Sequence, residues 1–291
     1  MIRIPFAKMN GAGNDFVVVD DTKGSFNIDL PAFAKAICAR GFGVTADGLL
    51  VLRTHEGFDF EMVYLNSDGS EGGMCGNGGR CIARFAVVNG VCGSPMRFLA
   101  HRQQYRAEIT HHGSVKLHLP DPDQVVPHFK IPFDSRTFDG TYVRPNTEHA
   151  VLTSGDAFEK IDEVDIIPFA RKIRYNHDVF PNGANVNLIE RADDSTIRLR
   201  TYERGVENET LACGTGAVAS AITAAIRYEM SSPVKIITTG GETLRVYFRR
   251  NGNGFSDLVL EGSASMVFSG EVLYDQASGK ILDLVDGQEH I

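Results

Sequence analysis

The chain lacks any apolar run long enough to cross a membrane, so a membrane-spanning protein is not expected. Its start, Met1-Ile2-Arg3-Ile4-Pro5, has neither the basic segment nor the apolar segment of a signal peptide, and cytoplasmic residence is the default expectation. Positive charge is in deficit. A formal net charge of −8 repels phosphate and argues against a nucleic-acid partner. Metal-ligand spacing is also missing: His111-His112, with His101 and His118, have no Cys, Asp or Glu at the right distances and read as strand-face residues. Basic pairs such as Arg249-Arg250 read as solvated turns. Cysteines are few and odd in number: Cys38, Cys75, Cys81, Cys92 and Cys213. That is no disulfide framework in a chain of this length. Cys38, Cys81 and Cys92 read as small buried hydrophobes.

What is present is a repeat. With 43% apolar and 23% charged residues, the 291-residue chain suits two modest globular domains or one large one. Phe58–Asn66 alternates in polarity and reads as a strand, and Cys75-Gly76-Asn77-Gly78 begins nine residues after Asn66. Thr196–Arg204 is another alternating strand, and Cys213-Gly214-Thr215-Gly216 begins nine residues after Arg204. Upstream, Asp47-Gly48-Leu49-Leu50 starts 19 residues before Asn66, and Asn185-Val186-Asn187-Leu188 starts 19 residues before Arg204. Further upstream, Phe33–Ile37 and Phe169–Ile173 are both helical in pattern. Each Cys-Gly-x-Gly opens an apolar helix, followed by a Pro and by two strand-like runs.

The pattern predicts two α/β halves of one topology, residues 1–119 and 120–265. The proline-rich stretch Pro120–Pro132 reads as a connector, and the tail, 266–291, is expected to return to the first half. Each matched cysteine stands where a glycine-rich turn enters a helix. The free N–H groups and dipole there favour a thiolate, or a substrate carboxylate. Taken alone, Cys75 also reads as a buried helix cap. Paired with Cys213 across a cleft between the halves, it reads as one of two bases that invert a carbon, one removing a proton and the other returning one. Cys213-Gly-Thr-Gly is not read as a nucleotide-binding turn: such a site needs a strand directly before it and an acidic residue at the end of a following parallel strand, whereas Ser231-Ser232-Pro233 and a hairpin-like pair follow its helix.

The residues also resemble a known family. Lys8–Phe16, Ala46-Asp47-Gly48, Asn66–Ser70, Met74–Arg80, Asn185-Val186-Asn187, Glu203-Arg204-Gly205 and Ala212–Gly216 together are similar to diaminopimelate epimerases over nearly the whole chain. The resemblance implies an α/β (α+β) fold of two pseudo-symmetric barrel-like sheets, each wrapped around a central helix. It implies a cofactor-independent isomerase of lysine biosynthesis, commonly a homodimer, with LL- and meso-diaminopimelate as its small-molecule substrates. It makes Cys75 and Cys213 the acid/base pair. Asn14, Asn66, Gly76, Asn77, Asn185, Glu203, Arg204, Gly214 and Thr215 become substrate contacts, and His149 an assisting residue. Alternatives left open are a two-thiol racemase of another amino acid, or a non-catalytic amino-acid-binding or thiol redox protein of the same fold. Two departures stand out. The family's Gly-Asn-Pro-His is here Asn146-Thr147-Glu148-His149, with Thr147 two before the histidine and Asn146 displaced by one, and Thr45 stands where a Gly is usual.

Overall fold

Leu49-Leu50-Val51-Leu52 is apolar without alternation, and all four residues are fully buried. Such a run needs a sheet covered on both faces. The computed structural model, which describes residues 1–252 and 254–282, has that architecture twice. The chain divides into two compact units: residues 1–117 with the stretch from Ser263 onward, and residues 118–262.

The first unit contains β1 (Ile2–Gly11), β2 (Asn14–Asp20), α1 (Leu30–Cys38), β3 (Gly48–Arg53), β4 (Phe60–Asn66), α2 (Gly76–Val88), β5 (Met96–Ala100), β6 (Gln103–Ile109) and β7 (Val115–His118). The second contains β8 (Gln124–Phe133), β9 (Arg136–Arg144), β10 (His149–Thr153), α3 (Ile166–Arg174), β11 (Asn185–Arg191), β12 (Thr196–Glu203), β13 (Asn208–Thr210), α4 (Gly214–Arg227), β14 (Val234–Thr238), β15 (Thr243–Asn251) and β16 (Gly254–Gly262). The last elements among the described residues are β17 (Ser265–Asp275) and β18 (Lys280–Leu282). β17 pairs antiparallel with β1, and its Val272 and Tyr274 enter the core beside Phe33 and Ile37 of α1. Of the expected return over 266–291, residues 283–291 lie outside the described ones.

Strand pairing repeats between the units. β2–β3 and β10–β11 are parallel, and β3–β4 and β11–β12 antiparallel. β4–β5 and β12–β14 are parallel again, and β5–β6 and β14–β15 antiparallel. In each unit one helix is enclosed. α2 touches β1, β2, β3, β4 and β6, and α4 touches β9, β10, β11, β12, β14, β15 and β16. The run Gly216–Ala225 of α4 is entirely buried. The outer sheet faces are covered by α1 and α3, whose buried residues are Phe33, Ala34, Ile37 and Cys38 in one case and Ile166, Ala170 and Ile173 in the other.

Four sequence expectations need correction, the first being Arg249-Arg250, which is exposed as expected but lies on β15 in register with Ser256 and Phe255 of β16 rather than on a turn. The stretch Pro120–Pro132 is not all connector, because β8 runs from Gln124 in register with β9. A strand tolerates these prolines because Pro127 falls where the register shifts, between Val126 and Phe129, and β9 is the only strand registered against β8 among the described residues. His101, His111 and His112 lie on turns rather than strand faces, and only His118 ends a strand, β7. Cys38 and Cys81 are buried as expected, but Cys92 is only half-buried.

Candidate active site

The two cysteines cap their helices in the same way. Cys75 precedes α2 with φ −101° and ψ 120°, and Cys213 precedes α4 with φ −119° and ψ 118°. Each sulfur accepts a backbone N–H from the first turn, from Gly78 and from Gly216, both at 3.4 Å. A helix start gathers backbone N–H groups and the positive end of the helix dipole, an arrangement that favours negative charge at both positions. Burial pushes the Cys38 and Cys81 thiols up to about 12.

In the first unit a polar chain runs behind Cys75. Asn77, nearly fully buried, donates from Nδ2 to Asn14 Oδ1 at 2.5 Å, and Asn14 Nδ2 donates to Asp47 Oδ2 at 2.9 Å. Asn77 Oδ1 accepts from Arg80 Nη2 at 2.8 Å. Arg80 is fully buried and also donates to the carbonyls of Gly76 and Ser263. Gly11 is required where β1 passes α2, since a Cβ there would lie 2.9 Å from the Asn77 carbonyl oxygen. Asn66, at the end of β4, donates to Ser70 Oγ at 2.9 Å. Asn14, Gly76 and Asn77 thus share one network, which meets Cys75 through its neighbour in the chain, Gly76, while Asn66 is engaged by its own turn.

The second unit builds a different network. His149 begins β10 beside Asn185 of β11 and is fully buried. Asn187 Nδ2 lies 3.0 Å from His149 Nδ1 and 3.4 Å from the Ala150 carbonyl oxygen, while Asn187 Oδ1 accepts from Thr201 Oγ1 at 3.0 Å. Those partners orient the amide with its N–H toward the imidazole. The proton of His149 is therefore on Nε2, which lies 3.0 Å from Thr215 Oγ1 and 3.1 Å from Thr147 Oγ1. Burial holds the imidazole neutral, with a pKa lowered to about 3. Thr215 Oγ1 in turn lies 3.5 Å from Cys213 Sγ. Gly216 cannot carry a side chain here, because its Cβ would fall 2.6 Å from Asn187 Oδ1.

Asn185 Oδ1 accepts the backbone N–H of Arg204 at 2.8 Å, and its Nδ2 donates to the Glu148 carbonyl oxygen at 3.1 Å and to Thr147 Oγ1 at 3.3 Å. Arg204 Nη1 pairs with Glu148 Oε2 at 3.0 Å. Glu203 is half-buried at the end of β12. The structure thus brings His149, Asn185, Arg204, Thr215 and Cys213 into one region of the second unit, with Gly214 opening α4. It places Thr147 in that cluster and leaves Asn146 exposed on a left-handed backbone, φ 81°, as fits the glycine position of the family pattern. Asp47, Arg80, Glu148 and Asn187 were not singled out as site residues. Asp47 and Asn187 lay in the repeated segments, which was the available signal. Nothing local marks Glu148 except that it replaces a proline.

The diaminopimelate epimerase family model matches residues 6–122 and 150–267, and each stretch holds one of the two capping cysteines. The chain belongs to the diaminopimelate epimerase family. A relative of that description from Chlorobaculum tepidum is 39% identical, covering 91% of this chain and 99% of the relative. One from Archaeoglobus fulgidus is 37% identical, covering 94% and 100%. Family membership makes the chain an isomerase. Among solved structures, a Bacillus anthracis phenazine biosynthesis protein of the PhzF family superposes with TM-score 0.68 at 15% identity, covering 94% of this chain and 100% of that one. A hydroxyproline epimerase from Agrobacterium vitis superposes with TM-score 0.62 at 15% identity, covering 95% and 94%. These likenesses concern the fold, a pair of barrel-like sheets.

Proposed function

We propose that this protein interconverts LL- and meso-diaminopimelate with Cys75 and Cys213 as the two proton-transfer groups. The observation that carries the reading is the pair of cysteines at equivalent helix starts, each already accepting a first-turn N–H. One thiolate removes the Cα proton and the other thiol donates one to the opposite face; in reverse they exchange roles. The first-turn N–H groups at Gly76-Asn77 and Gly214-Thr215 hold the reacting carboxylate and stabilise the charge that develops on it. Asn14, Asn66, Asn185, Glu203 and Arg204 hold the far amino-acid head, with Arg204 on its carboxylate. His149, neutral and donating from Nε2, orients the Thr215 hydroxyl so that its proton faces Cys213 Sγ. The chemistry needs no cofactor.

The test is a chiral assay of the purified protein on LL-diaminopimelate and other amino acids in deuterated solvent. Product should carry deuterium at Cα ahead of recovered substrate, and Cys75→Ala and Cys213→Ala should each abolish turnover. Near wild-type turnover by either variant would refute the assignment.

The protein is further read as a cytoplasmic homodimer. All five cysteines are free, which fits a reducing compartment. Met266, Val267 and Phe268 of β17 are 40%, 61% and 48% exposed, an apolar surface that a second copy would cover. Sedimentation of the wild type against Phe268→Asp checks this: a wild-type monomer counts against it.

A further inference from the structure

The ion pair between Glu148 and Arg204 has no part in the proton transfer described above. Glu148 is held through both oxygens: Oε2 by Arg204 Nη1 at 3.0 Å, and Oε1 by Asn182 Nδ2 at 3.4 Å. The two side chains are only 18% and 28% exposed, so the pair is partly shielded from water. The described guanidinium bonds of Arg204 all leave from Nη1, to Glu148, to the Asn182 carbonyl and to the Gly183 carbonyl. They fix the plane of the group and leave the Nε–Nη2 edge as two parallel donors, the fork that suits a carboxylate. The Glu148 carboxylate retains acceptor positions beyond those two bonds.

We infer that Glu148 is a specificity-determining residue: it turns the Arg204 end of the site into a receptor for a zwitterionic amino-acid head. The far carboxylate docks on the Nε–Nη2 edge, and the far ammonium is taken by Glu148. The inference rests on the reading that Arg204 holds the far carboxylate. Its physical basis is charge matching. An isolated guanidinium attracts any carboxylate. A guanidinium already paired with Glu148 offers little net attraction to a lone carboxylate and sets a like charge beside it. A zwitterion meets both signs at once, so the pair selects by repulsion as well as attraction.

The test compares diaminopimelate with 2-aminopimelate, which lacks only the far ammonium, using the full chain. Wild type should prefer diaminopimelate in kcat/KM. Glu148→Gln keeps an acceptor for Arg204 but loses the charge, and should lower that preference by about tenfold or more, mainly through KM. Glu148→Asp keeps the charge and should retain most of the preference. An unchanged preference in a folded Glu148→Gln variant overturns the inference. Should that variant not fold, wild type alone decides: inhibition by 2-aminopimelate as tight as the KM for diaminopimelate overturns it, and inhibition about tenfold weaker supports it. Arg204→Met separates the two claims. If that variant keeps wild-type KM for both compounds, the far-carboxylate reading fails, and this inference falls with it.

Discussion

Asn187→Asp reverses the polarity of the hydrogen-bond chain that ends on Cys213. In the proposed relay the amide N–H faces His149 Nδ1, the imidazole donates from Nε2, and the Thr215 hydroxyl gives its proton to the sulfur 3.5 Å away. A carboxylate at 187 accepts from both the Thr201 hydroxyl and His149 Nδ1–H, so it is not stranded, although it loses the 3.4 Å contact to the Ala150 carbonyl. Nε2 then becomes an acceptor, the Thr215 hydroxyl turns toward it, and Cys213 loses that donor. A hydrogen bond to a charged group contributes about 1.5–3 kcal/mol, and the 3.5 Å separation places this one at the low end. At about 1.4 kcal/mol per pH unit, the thiol should titrate about one unit higher than in the wild type. The assay is the pH dependence of iodoacetamide alkylation at Cys213, measured in a Cys75→Ala background with and without Asn187→Asp. The same shift should appear in the acid limb of kcat/KM when Cys75 is intact. A midpoint identical in both proteins refutes the relay through His149 and Thr215.

Three further outcomes follow from particular contacts. Thr45 holds φ 61°, a left-handed conformation that costs a β-branched residue about 1–2 kcal/mol, of which glycine's unfolded-state entropy returns about 0.5–1. Thr45→Gly should therefore raise the urea midpoint modestly, and a lower midpoint contradicts the strain argument. Gly216→Ala drives a Cβ to 2.6 Å from Asn187 Oδ1 and should destabilise by about 1–2 kcal/mol net of the better helix propensity, whereas Gly78→Ala, whose nearest neighbour is Leu50 Cδ2 at 3.3 Å, should melt close to wild type; equal losses would contradict the asymmetry. His149 has its folded pKa lowered from 6.5 to about 3 by burial, so below about pH 6.5 the unfolded chain binds a proton that the native protein does not. Stability should fall as pH drops from 6.5 toward 3, with a smaller fall in His149→Asn, as read by thermal melts across that range.

Much of the architecture was legible because it is local. The nine-residue step from Asn66 to Cys75, repeated from Arg204 to Cys213, reflects a strand, a connection and a helix start that each half builds from its own neighbours, and the glycines after Cys75 and Cys213 mark helix entry wherever the helices go. Residues 124–133 do not read as a strand, because proline argues against one locally; pairing with β9 at a register shift overrides that argument. The polar networks were out of reach for a different reason. Asn187 meets His149 across 38 positions, His149 meets Thr215 across 66, and Arg204 meets Glu148 across 56. Sequence alone established the two halves, the two helix-capping thiols and the family. Which atom of His149 carries its proton, what occupies Arg204, and why Gly216 tolerates no side chain were decided by tertiary structure, because a hydrogen bond depends on angstrom-scale approach between side chains whose separation along the chain carries no periodic signal.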